Sequence, residues 1–450
     1  MAKKTASLLI LATFAAVSWS QAAEFSLELK KITPAEALAC PGDGLSAGLV
    51  AARPKRLTNE PKAVSKNPLY GVVPIGGKAL AFRLDESKGA GKGYDRLILD
   101  VNGNSDLTDD PVAEGMRREN SAAAPDLMLF GPVEAPGDLR VGPWRPSFCA
   151  TAEYRADEIL LFSHGKESVG TLRLTAGWYL EATVELDGSK EKIGFVDGNC
   201  SLRLGDAPGV DVTETGEGTA KYVAIGQGDS VLRDRNGSGR FKFDACESES
   251  EPFTRLIGIG RNVYELGLAG DLRSVRLEPS RLPLGQLAIG NEGNRIRTLT
   301  LVRKALSGKG WELFTPALTD GKAVVPEGTY HPCRFVVVAT GSGGSAAMSR
   351  AWKQDTEGEL NVAAGKTATL RCGAPLQLRI EAERRAGPSS SREARPTQQV
   401  DINVGVFGVG GERYIIHARG KDLGIKADPP RFRIFDEQGG EIAAGQLEYG

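Results

Sequence analysis

The chain reads as an all-β, multi-domain protein, and three observations predict this. Glycine is abundant, with 56 in 450 residues, so turns are frequent. Segments with helical periodicity are scarce. Short apolar runs that alternate with period two recur along the chain, separated by clusters of Gly, Pro, Asn and Asp. A chain of 450 residues exceeds one ordinary domain.

Residues 1–23 have the pattern of a secretory signal. Lys3 and Lys4 form a basic start, Leu8 to Val17 an apolar stretch too short to span a bilayer, and Ser20–Ala23 a small-residue cleavage region. Cys40 follows the charged segment Glu24–Lys31, which argues against a lipid-anchored cysteine. No later stretch is long and apolar enough for a transmembrane helix. Lys and Arg total 56 against 57 Asp and Glu, a balance that gives no footing for nucleic-acid binding.

The mature chain divides by pattern. Residues 24–148 form an N-terminal β unit: a short helix around Pro34, strands at Tyr70–Val73, Ala79–Leu84 and Arg96–Leu99, then a Pro-rich connection over 113–150. Residues 149–281 form a second unit, with strands at Ile159, Gly170–Leu174, Trp178–Leu186, Val263–Leu268 and Ser274–Pro279. Residues 282–374 carry the turn Val325-Pro-Glu-Gly-Thr-Tyr330, the strand Phe335–Ala339 and the turn Val362–Leu370. These suit an Ig-like or prealbumin-like sandwich. Residues 375–450 add an Ig-like module, interrupted by the polar loop Ala386–Gln398 with its arginines.

The chemistry-bearing pattern is an apolar run ending in oxygen-bearing side chains at alternate positions. Arg96-Leu-Ile-Leu leads into Asp100, Asn102, Asn104 and Asp106, at loop positions 1, 3, 5 and 7, and Asp109 and Asp110 follow. Calcium takes about six to eight oxygens from carboxylates, amides, carbonyls and water, and alternate residues of a tight loop turn inward together. Gly103 lets the backbone bend. A cation also relieves the repulsion among the aspartates. A second copy carries Asp234, Asn236, Ser238, Arg240 at position 7 and Asp244 at position 11, with Gly239 at position 6 and Phe241 at position 8. The charges of Arg233, Arg235 and Arg240 oppose a cation there. A third copy carries Asp197, Asn199, Ser201 and Asp206.

These loops resemble the calcium loop of EF-hands and dockerins, here following strands and not flanked by amphipathic helices. All lack the position-12 glutamate of the EF-hand. The loop plan, the Tyr94-Asp95 run-up and the Leu107–Pro111 ending also resemble a group of uncharacterised secreted bacterial proteins. In that group β-rich repeats carry such loops and end in sandwich modules. The resemblance covers roughly residues 68–375 and implies the layout, not an activity.

Six cysteines lie in the mature part, an even number for an exported protein. Proximity suggests Cys200–Cys246 and Cys333–Cys372 as disulfides. Catalytic motifs fare poorly. Gly44-Leu-Ser46-Ala-Gly48 matches the nucleophile-elbow string without the buried strand before it. Ser163-His-Gly-Lys166 stands alone, and Gly89–Gly93 lacks the Ser or Thr of a phosphate loop. His164, His331 and His417 are far apart in sequence. Trp144, Trp178, Trp311 and Trp352 suit core packing better than sugar stacking. The expectation is a secreted or periplasmic, non-catalytic protein. Its calcium loops brace the fold, and its sandwich modules meet a protein or glycan at the cell surface. The alternatives are an exported hydrolase and a carbohydrate-binding module.

Overall fold

The computed structural model describes residues 22–37, 44–89, 93–117, 126–135, 138–154, 160–161, 167–214, 221–235, 237–241, 243, 249–290, 295–305, 310–340, 346–352, 359–373, 375, 377–385, 399–418, 431–435 and 438–446. Within them the fold is all-β, with one helical turn at Pro34–Ala37. Thr33 and Glu36 cap that turn reciprocally: Thr33 N–H donates to Glu36 Oε2 at 2.9 Å, and Glu36 N–H to Thr33 Oγ1 at 3.3 Å. No described helix is long and apolar enough to cross a membrane. The expected signal segment lies outside the described residues up to Gln21.

Eight antiparallel strands form a nearly closed, barrel-like sheet. Their spatial order is Leu45–Leu49, Gly170–Ala176, Ser147–Tyr154, Asp126–Glu134, Val112–Arg117, Arg96–Leu99, Lys78–Asp85 and Leu69–Ile75. The end strands meet where Val50 N–H donates to Tyr70 O at 2.9 Å and Tyr70 N–H to Val50 O at 2.8 Å. Closing a sheet on itself removes its exposed edges. Side chains alternate as a pleated strand requires. Leu80, Phe82, Leu84, Leu97 and Leu99 point into the barrel core, whereas Ala81 and Ile98 join Leu57, Tyr70 and Leu107 in a cluster on the outer face.

Two of these strands lie where the sequence suggests only a Pro-rich connection. Asp126–Glu134 tolerates Pro132 because the register jumps there, from Phe130 opposite Ala150 to Val133 opposite Phe148. Proline fits such an irregularity, where no ladder N–H is needed.

A second core lies between two further sheets. One orders Ser250–Pro252, Ser230–Arg233, Ser189–Val196, Trp178–Leu186 and Glu28–Lys31; the other orders Ala23–Ser26, Ser274–Pro279, Asn262–Leu268 and Leu256–Ile259. Trp178, Leu180, Phe195, Val231, Tyr264 and Leu277 fill the space between them. The first strands of the described chain thus edge both sheets, with Leu27 buried between. Gly177 links the barrel strand Gly170–Ala176 to Trp178–Leu186. Its N–H donates to Ser147 O at 2.8 Å, and its carbonyl accepts Ile32 N–H at 2.8 Å.

The C-terminal part places the three strands Lys322–Pro326, Leu284–Gly290 and Thr367–Arg371 over a larger sheet. Trp311–Phe314, Arg295–Lys304, Gly328–Thr340, Ala346–Trp352, Arg413–Ala418, Gln399–Phe407 and Gln377–Arg385 run in order across that sheet, and Leu360–Val362 pairs beside Gly328–Thr340. Leu287, Leu299, Leu301, Phe314, Tyr330, Phe335 and Cys372 lie in the shared core.

The structure contains no Cys333–Cys372 disulfide. The register of Gly328–Thr340 slips between Pro332 and Arg334, so Cys333 faces Val302 and Leu313 on the outer side while Phe335 faces the core that holds Cys372. Cys333 Sγ instead approaches Thr300 O at 3.2 Å. Cys246, the expected partner of Cys200, lies outside the described residues, as does Cys40. Burial pushes the Cys149 and Cys333 thiols up to about 12. In non-reduced native protein at neutral pH, iodoacetamide should therefore leave both unmodified, and unfolding in urea should expose both to alkylation. A disulfide-linked peptide containing Cys333 contradicts this.

Candidate cation-binding loops

Each of the three Asp/Asn loops begins at the end of a buried strand. Asp100 follows Arg96–Leu99, Asp197 follows Ser189–Val196, and Asp234 follows Ser230–Arg233. Their side chains are 0%, 1% and 8% exposed, so the strand carries a carboxylate out of water in every case.

The loops share one backbone plan. Positions 4 and 6 have left-handed φ in all three: Gly103 and Ser105, Cys200 and Leu202, Gly237 and Gly239. In the first and third loops side chains with a Cβ hold that conformation at a steric cost. The benefit is a position-6 N–H turned onto the position-1 carboxylate. Ser105 N donates to Asp100 Oδ2 at 3.1 Å, Leu202 N to Asp197 Oδ2 at 2.8 Å, and Gly239 N to Asp234 Oδ2 at 2.6 Å. The position-5 oxygen then accepts the position-7 N–H: Asn104 from Asp106, Ser201 from Arg203, Ser238 from Arg240. An apolar side chain at position 8 anchors each loop: Leu107, Leu204 and Phe241. Asn236 and Asp244 of the second loop lie outside the described residues.

The first loop is also tied to the connection between the barrel strands Leu45–Leu49 and Leu69–Ile75. Thr58 N donates to Ser105 O at 2.8 Å, Leu107 N to Asn59 O at 3.0 Å, and Asn59 Nδ2 to Asp106 Oδ2 at 2.9 Å. Asn102 Nδ2 and Asn104 Nδ2 both donate to Asp109 Oδ2, at 3.0 and 2.9 Å. Asp110 turns back under the loop, and its Oδ1 accepts Val101 N–H at 3.0 Å. Two oxygens are left over. Asp100 Oδ1 and Asp110 Oδ2 are both buried and neither receives a hydrogen bond. Burial, and then the charges of Asp100, Asp109 and Asp106, push Asp110 up to about 7 against the pull of Val101 N–H. An uncompensated buried carboxylate is costly, and a cation or a proton relieves it.

The third loop solves the same problem differently, with a residue the sequence reading missed. Asp229 is 1% exposed and lies just before Ser230–Arg233, beside Asp197 across the ladder. Its oxygens accept Gly198 N–H at 3.3 Å, Gly205 N–H at 2.8 Å and Asp206 N–H at 2.9 Å. Asp206 in turn accepts Ser201 Oγ–H at 3.1 Å. Burial and the Asp197 charge push Asp229 up to about 8; burial pushes Asp197 to about 6. The residue stands 23 positions after Asp206, so only the antiparallel pairing of Ser189–Val196 with Ser230–Arg233 brings it here.

The arginines of the second loop are engaged elsewhere. Arg233 Nη2 meets Glu191 Oε2 at 2.6 Å, and Arg235 pairs with Glu251. Arg240 contributes its carbonyl, which accepts Ser238 Oγ–H at 2.9 Å. Among the described residues no three Asp, Glu, His or Cys side chains are grouped closely enough to hold a metal by themselves. The motifs weighed for catalysis stay dispersed. Ser46 lies within the strand Leu45–Leu49 opposite Arg173, not on a strand-to-helix turn, and Ser163 and His164 lie outside the described residues. Trp178 is a core residue, 1% exposed. No family model matches the chain, and no curated protein or solved structure matches it either.

Two outcomes follow from this geometry. Asp110, Asp197 and Asp229 hold their protons more tightly folded than unfolded, so their contribution to stability is fully present below the ordinary carboxylate range. It is lost as pH rises through about 7 for Asp110, about 6 for Asp197 and about 8 for Asp229. Urea midpoints in chelator should accordingly fall between about pH 5 and 8, and Asp229→Asn should flatten the upper part of that fall. Leu107, 0% exposed, anchors the first loop. Leu107→Ala should lower the unfolding free energy by about 2–5 kcal/mol.

Proposed function

We propose that this is an exported, non-catalytic β protein whose Asp/Asn loops bind calcium as structural braces. Its C-terminal sheets would be Ig-like or prealbumin-like sandwich modules that contact a protein or glycan at the cell surface. Export rests on the signal pattern of residues 1–23. The calcium reading rests on one observation above the rest: Asp100 Oδ1 and Asp110 Oδ2, buried in one loop, lack any donor.

The first loop has the richest donor set. Asp100 and Asp110 would supply the charge, and Asn102, Asn104, Asp106 and Asp109 stand around them with amide and carboxylate oxygens suited to a hard cation. An ion there would stitch the end of Arg96–Leu99 to the covering segment at Asn59, which already bonds to Asp106. The third loop offers Asp197, Asn199, Ser201 and Asp206. It sits where the barrel meets the next sheets, since Cys200 lies in the barrel core and Leu202 packs on both cores. The second loop offers Asp234, Asn236, Ser238, the Arg240 carbonyl and Asp244, with Arg233 and Arg235 neutralised by Glu191 and Glu251.

Calorimetric titration of the mature chain with calcium, with stoichiometry read out, tests the proposal. A loop with a dissociation constant of about 10 μM in about 1 mM calcium would gain about 2.7 kcal/mol. The melting midpoint should rise in calcium and fall in chelator. Asp100→Asn should remove most of that rise and Asp234→Asn less. Identical midpoints in calcium and chelator, with no heat of binding, would sink the calcium reading.

A further inference from the structure

Away from the loops, the C-terminal sheets form a half-open pocket of about 350 Å³ near the edge strand Trp311–Phe314. This volume is at the lower end of the roughly 300–1,000 Å³ usual for small-molecule sites. One wall is aromatic. Trp311 and His331 meet edge to face, with ring centroids 5.4 Å apart and planes at 63°. The strand register builds that wall: Trp311 stands opposite Lys304, and His331 opposite Val302. His331 is 1% exposed, so the wall is rigidly backed.

The remaining lining is polar and of both signs. Lys304, Glu327, Thr329 and Glu359 border the cavity. Lys304 is exposed, and its Nζ lies 5.9 Å from the Trp311 centroid, so an ammonium stands beside the aromatic wall. Arg303 also reaches the cavity, but Glu312 holds it, with Nε to Oε1 at 2.6 Å. Thr329 Oγ1 donates to Asn361 Oδ1 at 2.7 Å, which orients its lone pairs for accepting.

We infer that this cavity binds one neutral hexopyranose ring of a surface glycan. A pyranose has a face of C–H bonds that packs on an indole and a rim of hydroxyls that both donate and accept. The pocket offers the matching surfaces: an aromatic wall, the Glu327 carboxylate and the Thr329 hydroxyl as acceptors, and the Lys304 ammonium as donor. A strongly anionic ligand meets Glu327 and Glu359, and a strongly cationic one meets Lys304 and Arg303. The volume suits one ring, so the site is a pocket and not a flat aromatic platform. The inference deepens the surface-contact half of the proposed function and does not depend on the calcium half.

Saturation-transfer NMR on the full mature chain tests it. The probes are methyl glucoside, methyl galactoside, methyl mannoside and N-acetylglucosamine at about 5 mM, a range suited to millimolar dissociation constants. At least one should receive saturation on its ring C–H protons, in chelator as in calcium. Trp311→Ala should abolish the transfer. Lys304→Ala, at an exposed position that leaves the fold intact, and Glu327→Gln should each weaken binding about tenfold, as loss of a charged hydrogen-bond partner does. Should Trp311→Ala unfold, judged by circular dichroism, the double variant Lys304→Ala/Glu327→Gln decides the matter. Silence from all four sugars overturns the inference. Transfer that persists in a folded Trp311→Ala or in the double variant overturns it too, and so does a stronger response to glucuronate or inorganic phosphate. A failed calcium titration leaves this result untouched.

Discussion

The constraint on which this structure turns is the removal of carboxylates from water at the ends of strands. Asp100, Asp197 and Asp234 each close a buried strand and are themselves buried. An ionised carboxylate in such a place needs several hydrogen bonds or an opposite charge. All three loops begin to answer the need in one way, by twisting positions 4 and 6 into left-handed conformation and aiming the position-6 N–H at the aspartate. The cost of holding Ser105, Cys200 and Leu202 at positive φ is the measure of how strongly that carboxylate governs the local backbone.

The loops differ in how far backbone donors suffice. In the third loop, N–H groups reach both oxygens of Asp197 and both of Asp229, so the cluster is hydrogen-bonded throughout its buried part. In the first loop the supply runs short, because the side-chain amides of Asn102 and Asn104 turn to Asp109 and leave Asp100 and Asp110 with one bare oxygen each. The loop richest in carboxylates is thus the one least able to satisfy them from within. On the proposed calcium reading, this asymmetry makes the first loop the strongest site.

Buried arginines elsewhere in the fold are met by carboxylates. Arg83, 1% exposed on the outer barrel face, meets Glu60 at 3.0 Å and Asp85 at 3.4 Å. Burial works against the ionisation of Asp85. Even so, the N–H groups of Val64, Ser65 and Glu86, with Arg83, hold its carboxyl below the usual range. Arg233 with Glu191, and Arg303 with Glu312, repeat the arrangement. What sets Asp100 and Asp110 apart is that two like-charged carboxylates of one loop each keep a buried oxygen without a donor. In the C-terminal sheets Lys304, Glu327 and Glu359 line the pocket beside Trp311, next to the Arg303 that Glu312 holds.

Local pattern determined much of this protein. Period-two alternation marked Trp178–Leu186 as a strand, because a pleated strand with one buried face leaves that imprint whatever its partners. Ala79–Leu84 and Arg96–Leu99 showed as short apolar runs, because both of their faces are covered. Oxygen-bearing residues at alternate positions marked the loops, because a tight turn repeats its inward direction every second residue. The apolar residues Leu107 and Leu204 at position 8 were readable too, had Phe241 been taken as part of a pattern. Tertiary structure alone decided the rest. Val50 meeting Tyr70 to close the barrel depends on how far the sheet curls. The side of the sheet that Cys333 faces depends on a one-residue slip against a neighbouring strand. Asp229 joins Asp197 only through strand pairing, and no local signal marks which distant carboxylate a fold will bring home. Sequence dictates what a short stretch does to its own backbone; which charges end up side by side is settled by the register of strands far apart in the chain.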